Sequence, residues 1–268
     1  MTGDYKKIVC ERKGSHDEVL WITLNDEGMM NALSDTMQQE LLHIFQEIAF
    51  DNDVRCVVLR GAGDKAFSSG GDINLFQSLN LVSGYDFAYS RGNSIQHLMN
   101  YMEKPVIAAV NGYCFAGGME LALSCDFIYA SKTAKFGLLE INLGMLAGWG
   151  GTVRLPRKIP VNRAKEMIYR GEIITADVAY EWGLVNRVLP SKEVLYEELE
   201  KIVSEMMTKP PLALRAAKNV INNSITCDSI EAALSIERGA VMWLTSSEDN
   251  KEGVTAFVEK RKPEFKGK

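Results

Sequence analysis

The chain has 268 residues, 30 of them Lys or Arg against 35 Asp or Glu, for a formal net charge of −5. Phosphate neutralisation needs an electropositive surface, so this balance argues against a nucleic-acid partner. The 46% of apolar residues can fill a sizeable core, and at about 150 residues per domain the length allows one large domain or a domain with an appendage. No apolar stretch reaches the roughly 18 residues of a membrane span; PVIAAVNGYCFAGGMELALSC is broken by Asn111, a glycine cluster and Glu120. The opening MTGDYKKIVCERK lacks both the apolar core of a secretory signal and the Arg- and Ser-rich character of a transit peptide, which predicts a cytoplasmic chain.

Strands are predicted at Tyr5 to Cys10, Val19 to Leu24, Val54 to Arg60, Val106 to Val110, Asp126 to Ala130 and Leu184 to Val188. Between them, Ser34 to Phe50 carries Met37, Leu41, Ile44, Phe45 and Ile48 on one helical face. Further helices are expected near Tyr85 to Met102 and Gly117 to Ser124. Such alternation predicts an α/β fold with parallel strands. From about Leu195 the strands stop and helices follow, punctuated by Pro210 and Pro211. This divides the chain into a core, 1–195, and a helical C-terminal region, 196–268, with no clear sequence repeat.

Cys10, Cys56, Cys114, Cys125 and Cys227 are widely spaced, with no C-x-x-C pair, so neither a disulfide framework nor a zinc site is expected. His16, His43 and His97 are the only histidines. No metal is expected, and histidine chemistry has little to draw on. Gly61-Ala62-Gly63-Asp64-Lys65-Ala66 imitates half of a dinucleotide fingerprint, but Phe67-Ser68-Ser69-Gly70-Gly71 follows where a helix should start. Ala66-Phe67-Ser68-Ser69-Gly70 imitates a nucleophile elbow, but an α/β-hydrolase needs a histidine after its acid.

Two glycine clusters follow strands. AFSSGGDI places Gly70 and Gly71 where the chain leaves the sheet; NGYCFAGGMELALSCD opens a helix at about Gly117. Backbone N–H groups at such points suit a carbonyl oxygen that becomes negative, although glycines after strands are often plain turns. Glu120 lies three residues into the buried helix, where it could instead be a cap. Glu140, in KFGLLEINLG, is flanked by apolar residues. Two carboxylates near one oxyanion hole are set up for proton transfer, because desolvation and mutual repulsion raise the pKa of at least one.

These segments, with Asn31-Ala32-Leu33, GWGGTVRLPR, ADVAYEWGLVNRV and EGVTAFVEKRKPEF, resemble the crotonase, or enoyl-CoA hydratase/isomerase, superfamily over nearly the whole chain. The resemblance implies a spiral of ββα units followed by helices that build a homotrimer or a dimer of trimers. It implies an acyl-CoA thioester substrate, coenzyme A entering as part of that substrate, and no separate cofactor. It makes the N–H groups of Gly71 and Gly117 the oxyanion hole. Glu120 then activates water and Glu140 gives a proton to the α-carbon of a 2-enoyl-CoA, yielding a 3-hydroxyacyl-CoA. Ser69, Gly70, Asp72, Ile73, Gly148, Trp149, Phe257 and Lys260 become substrate- or CoA-binding residues. A double-bond isomerase of the same fold, or a non-catalytic binding protein, are the alternatives. Three positions depart from the family pattern: Leu139 stands where hydratases have proline, Asn74 where many members have lysine, and Trp149 where a small residue is usual. The indole could shape the acyl pocket or fill core space.

Overall fold

The computed structural model describes residues 4–73, 80, 82, 83 and 91–268. In chain order these form β1 (Ile8–Lys13), β2 (Val19–Leu24), α1 (Asp35–Ala49), β3 (Cys56–Gly61), β4 (Ala66–Ser68), α2 (Asn93–Tyr101), β5 (Val106–Val110), β6 (Tyr113–Phe115), α3 (Gly117–Leu123), β7 (Phe127–Ser131) and β8 (Lys135–Gly137). A 3-10 turn at Glu140–Leu143 leads to α4 (Gly151–Lys158), α5 (Val161–Arg170), β9 (Ile174–Thr175), α6 (Ala176–Glu181) and β10 (Arg187–Leu189). The helices α7 (Lys192–Met207), α8 (Pro211–Ser224), α9 (Ile230–Thr245) and α10 (Glu248–Glu259) finish the chain.

The strands build two sheets, one of order β1-β2-β3-β5-β7-β10 and a smaller one of order β4-β6-β8-β9. From β2 onward the large sheet is parallel; β1 is an antiparallel edge. The pairs β3/β4, β5/β6 and β7/β8 each place one strand in each sheet before helical structure resumes. That is the repeated ββα unit expected from the family resemblance.

Side-chain alternation gives the large sheet two buried faces. Val19, Trp21, Cys56, Val58, Ile107, Ala109 and Tyr129 meet Leu195, Leu199, Val203 and Met207 of α7. Leu20, Ile22, Leu24, Val57, Leu59, Val106, Ala108 and Val110 join the main core with α1 to α3. The expected division at 195/196 therefore falls inside a helix that closes the sheet. Farther on, α8 is clamped to the core by Lys218, whose Nζ donates to Met99 O at 2.7 Å, Lys104 O at 2.8 Å and Asp126 Oδ2 at 2.9 Å.

Several elements match their expected bounds, and others shift for identifiable reasons. Ser34 caps α1 by accepting from Met37 N. Strand β1 runs on to Lys13 instead of ending at Cys10, because its register against β2 pairs Ile8 with Leu24 and Lys13 with Val19. The edge strand tolerates three charged residues there because each finds a partner, Glu11 with Arg60, Arg12 with Asp51 and Lys13 with Glu200. Leu184 and Val185 are buried in the turn after α6, so β10 begins only at Arg187. Helix α2 starts at Asn93; residues 85–90 of the expected helix lie outside the described residues.

Candidate active site

The strands β4, β6 and β8 are parallel neighbours, so their C-terminal ends emerge side by side. From β4 the chain passes into Ser69, Gly70 and Gly71; from β6 into Ala116 and Gly117; from β8 into Leu138, Leu139 and Glu140. Segments far apart in sequence thus share one sheet edge. Ala116 N donates to Gly137 O at 2.8 Å, and Leu33 N donates to Gly70 O at 2.8 Å. Asn31 braces the approach from the other side: its Oδ1 accepts from Asp26 N at 2.9 Å, and its Nδ2 donates to Ala62 O and Ala66 O.

Gly71 and Gly117 come together as expected. A Cβ built on Gly117 would lie 3.4 Å from Gly71 N, and one built on Gly70 would lie 3.1 Å from Gly117 N. Gly117 is the first residue of α3, so its N–H has no intrahelical acceptor. Among the described residues neither Gly71 N nor Gly117 N has an acceptor. Gly70 has φ +101°, a conformation open to glycine at little cost. Ala116, just before the helix, holds φ 48° and ψ −127°, strain stored where the chain turns Gly117 N outward. The sequence reading missed Ala116; a non-glycine residue directly before the Gly117-Gly118 pair was the signal.

Glu120, on the first turn of α3, is 3% exposed. Its Oε1 accepts from Trp149 N and from Gly151 N, each at 2.7 Å. Burial pushes its pKa up to about 7; the N–H of Gly151 opposes this, the Glu140 charge adds to it, and Trp149 N–H and Arg154 oppose it. Both anchoring bonds go to one oxygen, which leaves Oε2 for chemistry. Glu140 opens the 3-10 turn, and its Oε2 is buried without a partner among the described residues. Burial raises its pKa as well, against the pull of its own N–H and that of Leu139. A proline at 139 could not supply that N–H. Two carboxyls raised in this way, beside a pair of free N–H donors, can move protons while a carbonyl oxygen between the donors takes up charge.

The remaining expected residues divide by location. Ser69 sits at the same sheet edge, donating through N to Met30 O and through Oγ to Met29 O. Asp72 is half-buried, Ile73 is 55% exposed and Gly148 is exposed. Trp149 is 5% exposed and belongs to the main core. Its ring lies against Gly92, where a Cβ would come within 2.3 Å of indole Cδ2. Phe257 is 85% exposed on α10, and Lys260 is that helix's left-handed cap. No hydrogen bond or ion pair joins either to the glycine and glutamate cluster among the described residues. Asn74 lies outside the described residues. Among them, no group of His, Cys, Asp and Glu is arranged to hold a metal, and no helix is long and apolar enough to cross a membrane.

Two largely parallel sheets, paired N–H donors at strand ends, a buried carboxyl at Glu120 and a half-buried one at Glu140 define a fold-and-site class suited to acyl thioester chemistry. Residues 14–268 match the family model described as enoyl-CoA hydratase/isomerase. The short-chain-enoyl-CoA hydratase of Clostridium acetobutylicum is 38% identical over 261 residues, covering 97% of this chain and 98% of that protein. The crotonyl-CoA hydratase of Syntrophomonas wolfei is 39% identical, with the same coverage. A crystal structure of enoyl-CoA hydratase from Bacillus anthracis superposes with TM-score 0.93 at 38% identity, covering 98% of this chain and 100% of that one. The chain belongs to the enoyl-CoA hydratase/isomerase family.

Proposed function

We propose that this protein adds water reversibly across the double bond of a 2-enoyl-CoA thioester, with Gly71, Gly117, Glu120 and Glu140 as its machinery. The thioester oxygen accepts from the N–H groups of Gly71 and Gly117. Glu120 takes a proton from water as the water oxygen bonds to the β-carbon; the π electrons shift toward the thioester oxygen, and Glu140 protonates the α-carbon. Charge grows on the thioester oxygen only during the reaction, so the two donors stabilise the transition state more than the ground state. The observation that carries this reading is the convergence of Gly71, Gly117 and Glu140 at the ends of β4, β6 and β8, with Glu120 fixed beside them.

Coenzyme A enters as part of the substrate, and Ser69, Gly70, Asp72, Ile73, Gly148, Phe257 and Lys260 are its proposed contacts. A short acyl chain is favoured. The names of the Clostridium and Syntrophomonas relatives, a short-chain-enoyl-CoA hydratase and a crotonyl-CoA hydratase, support this. The proposed setting is the cytoplasm, with no separate cofactor and with the chain assembled as a homotrimer or a pair of trimers.

Glu140→Gln tests the machinery. An amide cannot give the α-proton, and positioned proton transfer contributes about 10² to 10⁴-fold. Hydration should fall by that range while CoA-ester binding, followed by calorimetry, stays near wild type. Retention of more than roughly a tenth of the turnover would remove Glu140 from the mechanism.

A further inference from the structure

The two N–H groups that hold Glu120 belong to one tight turn, Trp149-Gly150-Gly151, at the start of α4. Beneath it lies Arg154, half-buried, whose Nη1 donates to Trp149 O at 3.1 Å and to Gln96 Oε1 at 2.6 Å. Gly150, at φ +96°, leaves the room for this guanidinium: a Cβ there would overlap Arg154 Nη1. Gln96 comes from α2 and is 1% exposed, and its Nε2 has no partner among the described residues. A buried amide with an unspent donor costs stability, so what Gln96 contributes is its oxygen, held out to Arg154. The connection runs from Gln96 through Arg154 and the Trp149 peptide to Glu120.

We propose that Arg154, anchored by Gln96, is the positioning residue for Glu120: it fixes the turn that aims the carboxylate and sets a permanent positive charge behind it. The inference rests on the hydratase reading. An arginine stays protonated even when partly buried, so the charge is constant through the working pH range. The groups facing Glu120 are the N–H of Gly151, the Glu140 carboxylate from the 3-10 turn, the N–H of Trp149 and Arg154 from α4. Of these, Arg154 is the cation, and Glu140 pushes the other way. Water activation needs Glu120 ionised. Arg154 therefore extends activity to lower pH, in addition to aligning the carboxylate.

The test compares Arg154→Met, Arg154→Lys and Gln96→Leu with wild type in pH profiles of kcat and kcat/KM. It also follows the Glu120 carboxyl infrared band during titration, identified by difference against Glu120→Gln. Arg154→Met should move the acidic limb and the Glu120 titration upward by on the order of one pH unit and lower kcat with little change in KM. Arg154→Lys should restore the limb, because the charge returns, yet recover kcat only in part, because one ammonium cannot reproduce the bonds of the planar fork. Gln96→Leu should lower kcat about tenfold with the limb displaced little. A folded Arg154→Met with kcat, limb and Glu120 titration all as in wild type overturns the proposal. Should that variant lose its oligomer or its circular dichroism, Gln96→Leu decides, and an unchanged kcat there overturns it. The infrared titration reads Arg154's effect on Glu120 without turnover, so a failure of the hydratase reading would be seen separately, as absent hydration by wild type.

Discussion

Glu120 is nearly inaccessible, yet the proposed mechanism needs it ionised, and a charge held there works against folding. Its pKa stands at about 7 in the folded chain against an ordinary 4.5. Between those values the folded state binds a proton more tightly than the unfolded state, so stability falls as pH rises through that window. About 2.5 units at 1.36 kcal/mol each amounts to roughly 3 kcal/mol, fully felt only above about pH 7. Glu120→Gln removes the ionisation while its amide oxygen can still accept from Trp149 and Gly151. We expect the variant to gain on wild type in thermal stability as pH rises from about 5 to about 8, by on the order of 1 to 3 kcal/mol. A stability difference that stays flat over that range would contradict the raised pKa. The two glutamates were legible in the sequence as carboxylates set among apolar residues. The holders of Glu120 were not, because Trp149 and Gly151 act through backbone N–H groups that side-chain identity does not reveal.

The strands that lead into the site are among the shortest elements of the described residues. Strands β4, β6 and β8 have three residues each, too few to display a two-residue period, and for that reason the second sheet and the ββα repeat could not be read from the sequence. The longer strands β2 and β5 could, since Val19–Leu24, apolar except for Thr23, and the wholly apolar Val106–Val110 are runs buried on both faces. Tight packing between the ends of the short strands makes a sharp prediction. Gly70→Ala places a Cβ 2.7 Å from Ala116 Cβ and 2.9 Å from Phe115 O, in a backbone conformation that already disfavours alanine. The Gly70-Gly71 and Ala116-Gly117 segments must then part, which separates the two proposed oxyanion donors. We expect kcat to fall by about 10² to 10³-fold, with oligomer size and circular dichroism retained. A folded variant with near-normal turnover would show that the two segments do not act as a pair.

At the scale of the molecule, the C-terminal layer exposes what a core normally hides. Helix α9 has no buried residue; Met242 is 75% exposed and Trp243 52%, and on α10 Val258 is 74% exposed beside Phe257. Apolar surface of this extent marks an interaction site, in keeping with the proposed homo-oligomer. Met242→Glu together with Val258→Glu should reduce the particle to a single chain in light scattering, whereas an unchanged mass would move the interface elsewhere. The central claim concerns what this assembly does to water. Crotonyl-CoA incubated with the enzyme in ¹⁸O-labelled water should yield a 3-hydroxyacyl-CoA with the labelled oxygen on its β-carbon, and Glu120→Gln should suppress both this labelling and the reverse dehydration of the 3-hydroxyacyl-CoA. If a 3-enoyl-CoA is converted to its 2-enoyl isomer while no enoyl-CoA acquires labelled oxygen, the protein is an isomerase and the hydratase account is wrong.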